Sequence, residues 1–186
     1  LFDMMKATKL QVVATEVTRT GQAFGAAFIG RVDLVLGGPS SGADARRIVD
    51  LKWGGAGRKQ KLLEAGAAVQ LASYAYLEAE GRAPFPAVGY YVMDGQRLLT
   101  TQPGMFQAAE AVDGPGPEDT WRRVEATHAH ERKDLDAGNL TARGVETDTG
   151  KPLKEPEVEG EVIRIPPACH FCDYGVLCGR VVKEGA

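Results

Sequence analysis

Alternation of apolar and polar positions dominates the first third of the chain. Residues 10–19, Leu-Gln-Val-Val-Ala-Thr-Glu-Val-Thr-Arg, are rich in β-branched side chains and predict a strand. Residues 1–9 read as the end of a helix, and Thr20-Gly21-Gln22 as a turn. A second strand is predicted over residues 24–36, ending in Val32-Asp33-Leu34-Val35-Leu36. The run Gly37-Gly38-Pro39-Ser40-Ser41-Gly42 predicts a flexible hairpin loop. Residues 46–53, Arg-Arg-Ile-Val-Asp-Leu-Lys-Trp, complete a three-strand meander.

The period then changes. Gly54-Gly55-Ala56-Gly57 breaks the chain and leads into a basic loop carrying Arg58, Lys59 and Lys61. Over residues 60–80, Leu62, Gly66, Val69, Ser73 and Leu77 recur at helical spacing, with Gly81 as a C-terminal cap. Ala87–Met93 and Gln96–Thr101 predict two more strands around an Asp94-Gly95 turn. Glu118–Asp136 predicts a charged helix with acids at its N-terminus, as the macrodipole favours. Its His128 and His130 read as solvent-facing, and the polar, Gly- and Pro-containing stretch 138–160 reads as loop.

Two acids interrupt the apolar β-runs. A buried, unpaired carboxylate is costly, and metal coordination offsets that cost. Alternate residues of a strand share a face, so Asp50 and Lys52 point the same way, their Cα atoms roughly 7 Å apart. Asp33 arrives from the neighbouring strand at a compatible height. Leu51 faces the core, yet its backbone carbonyl stays available at the strand edge. Two carboxylates and a carbonyl make a hard oxygen site suited to Mg²⁺ or Mn²⁺. A bound divalent ion with a nearby lysine is the equipment that hydrolysis of an anionic phosphodiester requires. The plainer reading is that Asp-x-Lys marks a solvated strand face. Gln70 and Tyr74, four apart, share a helix face; they serve the site or form an ordinary polar edge.

Composition narrows the class. The 186 residues, 44% hydrophobic and 25% charged, suit one domain with a real core, placed at 1–165, and a cysteine-bearing tail at 166–186. No run reaches the ~18 apolar residues of a membrane span, and no signal peptide is visible. The chain opens on Leu1, the expectation being an N-terminally truncated fragment. A net charge of −3 argues against a free-standing, high-affinity DNA binder, and less against a domain handed DNA by a larger assembly. The three cysteines, Cys169, Cys172 and Cys178, form no disulfide framework and point to a reducing, cytoplasmic setting with a metal or cluster site.

Gly30/Asp33, Asp50/Lys52 and Gln70/Tyr74 fall in the order of the G-x-x-D, D-x-K and Q-x-x-x-Y motifs, and here the sequence resembles the PD-(D/E)XK nuclease superfamily, specifically its RecB-like branch. The resemblance implies an α/β fold, a mixed central sheet flanked by helices with a restriction-endonuclease-like core. It implies that Asp33 and Asp50 bind Mg²⁺ or Mn²⁺ with the Leu51 carbonyl, that Lys52 is the catalytic lysine, and that Gln70 and Tyr74 are an ancillary pair. Glu16 falls where this branch often carries an acidic site residue; an exposed strand glutamate is the alternative. The cysteine spacing resembles the C-terminal triplet of iron–sulfur members such as the AddB-type nuclease domain, which hold a [4Fe–4S] cluster with four thiolates. Two features depart from the pattern: no histidine precedes His128, and a fourth cysteine is missing. The function implied is a metal-dependent deoxyribonuclease, an exonuclease in preference, processing DNA ends in repair or recombination beside a helicase domain or subunit. The alternatives are a catalytically inactive nuclease-fold domain that binds DNA or scaffolds, and a small zinc module centred on the tail with His170.

Overall fold

A computed structural model describes residues 5–6, 9–38, 46–139, 144–145 and 151–167. The expected meander is present as β1 (Gln11–Ala23), β2 (Ala26–Gly37) and β3 (Arg46–Lys52), all antiparallel. The chain then crosses over through α1 (Ala56–Glu64) and α2 (Val69–Glu78) to β4 (Ala87–Val92), which pairs parallel to β3. β5 (Arg97–Thr100) and β6 (Glu110–Ala111) complete a six-stranded sheet in the order β1-β2-β3-β4-β5-β6. A long helix, α3 (Pro117–Asp136), packs on α2, and a hairpin of β7 (Glu157–Glu159) and β8 (Val162–Arg164) lies against it. The mixed α/β sheet with flanking helices is the architecture expected from the sequence.

Strands β2 to β5 divide their side chains between two cores. Val35, Ile48, Val88, Tyr90 and Val92 meet Leu63, Leu71 and Ala75 of the helices in one cluster. Leu34, Leu36, Val49, Ala87 and Leu98 form the other with Phe106 and Met5. One irregularity bears on the site. Ala14 and Val17 both face the helical cluster, as do Val32 and Val35, although each pair is three residues apart. The β1–β2 ribbon therefore changes face at Glu16 and Asp33, where Glu16 adopts φ 50.

Four local expectations need correction. The first turn is Phe24-Gly25 rather than residues 20–22, because those two take the left-handed conformations (φ 56 and 76) that a two-residue hairpin turn needs. The single helix expected over 60–80 is two helices. Gly66 breaks it at φ 65, and a side chain there would strike the Arg123 guanidinium and Pro115. Arg58, Lys59 and Lys61 lie on α1, not in a loop. The 138–160 stretch contains β7 and an isolated bridge between Val145 and Pro152; the hairpin is tied down by a hydrogen bond from Ile163 N to Thr127 Oγ1 at 2.8 Å. His130 is exposed, as expected; His128 is exposed too, but its ring stacks on Phe24 at 4.3 Å.

α2 is seated on the sheet by small residues and by charge. A Cβ built at Gly30 would lie 2.8 Å from Leu77 Cδ1 and 3.3 Å from two atoms of the Tyr74 ring, so the motif glycine is where the helix reaches the strand backbone. Glu78, its side chain fully buried, meets Arg19 of β1 at 2.7 Å and also pairs with Arg46 of β3. Gly30→Ala is expected to cost about 1–3 kcal/mol through overpacking. A lowered urea midpoint would show it, and an unchanged midpoint would remove Gly30 as the contact point.

Candidate active site

β2 and β3 last pair at Leu34 and Val49, and Asp33 faces Asp50 one step beyond. There the backbone ladder gives way to a side chain. Leu51 N donates to Asp33 Oδ2 at 2.9 Å, a bond that fixes this carboxylate against β3. Leu51 turns its side chain into the second core, as its parity predicts.

Asp50 is fully buried. Lys52 Nζ approaches its Oδ2 to 2.7 Å, two residues along the same strand. The approach is ionic and off-axis: neither carboxylate oxygen has a hydrogen-bond partner of good geometry among the described residues. Burial pushes the Asp50 carboxyl above its ordinary range; Lys52 pulls it down, the Asp33 charge adds to the rise, and Lys59 opposes it.

Two neighbours complete the site: Tyr90, which the pattern gave no role, and Lys59, which the pattern set beside the site but in a loop. Tyr90 stands beside Asp50 in the parallel β3–β4 register and is buried. Burial pushes its phenol well above the usual range, with Asp50 and Tyr74 adding to the shift, so it stays a neutral hydroxyl. Lys59 reaches over the Tyr90 ring, its Nζ 5.1 Å from the centroid. Burial lowers its ammonium pKa, the Lys52 charge lowers it further, and Asp50 works the other way. Helix α1 carries Lys59 because Gly55, at φ 81, turns the chain sharply after β3. The signal available was the Gly-Gly-Ala-Gly run followed by basic residues; it marked the neighbourhood but not the helix.

Gln70 and Tyr74 are bonded to each other, Gln70 Nε2 to Tyr74 Oη at 2.9 Å. Tyr74 packs against the helical core beside Tyr90, so the pair borders the pocket. Glu16 is exposed and bound to Arg31 at 2.8 Å. The β1–β2 register sets it across from Asp33, with its side chain turned to Arg31, and among the described residues no three of His, Cys, Asp and Glu gather as a metal-binding group. Cys169, Cys172, Cys178 and His170 lie outside the described residues.

The two acids nevertheless fit a hard divalent cation. A buried carboxylate opposite a second one, with Lys52 and Lys59 beside it among the described residues, is a donor set for an ion that retains several waters of its own. No described helix is long and apolar enough to cross a membrane.

No curated protein matches the sequence. The fold, the facing Asp33 and Asp50 and the adjoining Lys52 agree with a family-wide correspondence over residues 3–179, which spans nearly the whole chain and makes this protein a member of the PD-(D/E)XK nuclease superfamily.

Proposed function

We propose that this domain is a Mg²⁺- or Mn²⁺-dependent deoxyribonuclease of the RecB-like branch, related to the AddB-type nuclease domains. In this reading it degrades DNA from its ends during repair or recombination, beside a helicase domain or subunit. One observation carries the hydrolytic assignment: Asp50 is buried with no well-aligned hydrogen bond among the described residues, opposite Asp33 and 2.7 Å from Lys52. A structural role alone gives no reason to hold two acids and two lysines around one desolvated point.

Asp33, Asp50 and the Leu51 carbonyl would hold the cation; Glu16, engaged with Arg31 at the surface, stands outside this set. When bound, the cation supplies Lewis-acid stabilisation of the phosphate and a more acidic water. Asp33, immobilised by the Leu51 amide, keeps its place without paying the entropy of a mobile side chain. Lys52, 2.7 Å from Asp50, would be placed to stabilise negative charge developing on phosphate oxygens. Lys59, already partly desolvated over Tyr90, adds a second cationic contact for the strand. Gln70 and Tyr74 hold each other and order the pocket's border.

In the same reading, Cys169, Cys172 and Cys178 contribute thiolates to a [4Fe–4S] cluster, which takes four. Iron and sulfide analysis separates this from zinc. The activity is tested by incubating the protein with end-labelled linear DNA and closed circular DNA in Mn²⁺, alongside Asp50→Ala. Loss of the linear substrate alone, abolished in the variant, is the expected result. Equal cleavage by both proteins would remove the site, and cleavage of circles would replace the exonuclease with an endonuclease.

A further inference from the structure

On the reading that this site handles DNA, we infer that Tyr90 is a positioning residue: its ring holds the Lys59 ammonium beside Asp50, ready to take a phosphate of the bound strand.

Strand parity places the partners on one face. Asp50 and Lys52 alternate with Val49 and Leu51, and so share the side of Ile48, which belongs to the cluster under the helices. Tyr90 lies level with Asp50 in the parallel register and belongs to that cluster with Val88 and Val92. Helix α1 covers the same face through Ala56, Leu62 and Leu63. Its Lys59 extends over the Tyr90 ring, Nζ 5.1 Å from the centroid, close enough to Asp50 and Lys52 for both charges to act on it.

Lys59 is half-buried, yet among the described residues no carboxylate stands within ion-pair distance of it. Asp50 already has Lys52 at 2.7 Å, and Lys61, two residues on, is taken by Glu155. A ring face attracts an ammonium without accepting its protons as a carboxylate would, so the three N–H donors stay available. Burial and then the Lys52 charge disfavour the Lys59 ammonium. An anion shared by the two lysines relieves their repulsion, and a phosphate of the strand is the anion that the reaction brings. Without the ring, the flexible four-carbon stem of Lys59 would let its charge drift into water.

The test uses the full 186-residue chain in EDTA, where no cutting occurs, and a labelled linear duplex at several salt concentrations. Lys59→Met should weaken binding by about 10- to 100-fold and make the slope of log K against log salt shallower by about 0.9, the loss of one phosphate contact. Tyr90→Leu should weaken binding by about 2- to 30-fold, the range of a cation–π contact, and should add nothing in the Lys59→Met background. Tyr90→Phe keeps the ring and should recover wild-type binding. If Tyr90→Leu does not fold, a series of fluorinated phenylalanines at the same position decides. Fluorine drains negative charge from the ring face at nearly constant size, so binding should weaken with each fluorine added. Undiminished binding by Lys59→Met, a full Tyr90→Leu loss in the Lys59→Met background, or equal binding along the fluorinated series overturns the inference. If the wild type cuts DNA with Mn²⁺ while any of these holds, the inference fails and the nuclease reading stands. If the wild type neither binds nor cuts DNA, both fall.

Discussion

Asp50→Asn is expected to abolish hydrolysis and, in metal-free protein, to raise the melting temperature. If Asp50 holds the cation as proposed, its loss removes several kcal/mol of transition-state stabilisation, and each ~1.4 kcal/mol is tenfold in rate, so activity should fall by at least about a thousandfold. The thermal effect has the opposite sign. Asp50 is buried and lacks well-aligned donors, so its charge is a burden on the fold until a cation arrives. Because the folded protein raises the Asp50 pKa above its ordinary 3.8, the folded state holds that proton more tightly than the unfolded state. Its contribution to stability is therefore greatest below 3.8 and is lost as pH rises through the folded value. Asparagine has no such dependence. The variant's advantage in melting temperature should be small near about pH 4 and larger near about pH 7. About 1 kcal/mol corresponds to about 2–4 °C in a chain of this size. Saturating Mn²⁺ should reverse the order: at a hundredfold excess over Kd the wild type gains ~2.7 kcal/mol and the variant nothing. Calorimetry with and without Mn²⁺ at both pH values checks each sign, and undiminished cleavage by Asp50→Asn would refute the assignment.

Lys52→Ala should be equally inactive but less stable. Removing one partner of a buried ion pair costs ~3–5 kcal/mol because the other charge is left uncompensated. Lys52 is 24% exposed at its side chain, so solvent already screens part of the interaction and the lower end of that range is expected. That is a fall of about 6–12 °C in metal-free protein. Mn²⁺ should restore much of the lost stability, since Asp33 and Asp50 are intact, without restoring turnover. Combining Lys52→Ala with Asp50→Asn should recover most of the stability, because the amide no longer needs the ammonium. A double-mutant cycle reads this directly. Additive destabilisation would mean that the 2.7 Å contact carries no coupling.

The parts of this arrangement that follow from period-two patterning were legible in the sequence. Asp50 and Lys52 share a face because strand geometry leaves no other choice, and Leu51 turns away for the same reason. That Asp33 would meet them also follows, once residues 24–36 and 46–53 are read as a hairpin. What was not legible depends on contacts distant in sequence. Leu62, Val69 and Leu77 keep helical spacing straight through Gly66, so periodicity could not reveal the break; Arg123 and Pro115, far along the chain, occupy the space a side chain would need there. Tyr90 looked like one more strand aromatic until the crossover set it in register with Asp50. β6 is two residues long and exists through pairing with β5, whose Arg97 holds Glu110 at 2.5 Å. Glu16 looked suitable by position, but the change of face at φ 50 and the attraction of Arg31 keep it at the surface.

The bond from the Leu51 amide to Asp33 has a consequence for how the enzyme matures. If β2 slid by one residue against β3, Asp33 would swing to the opposite side of the sheet and that amide would lose its acceptor. Correct threading and a competent cation cradle are thus assembled by one and the same contact. A misthreaded copy would lose that acceptor, and Asp33 would no longer stand opposite Asp50.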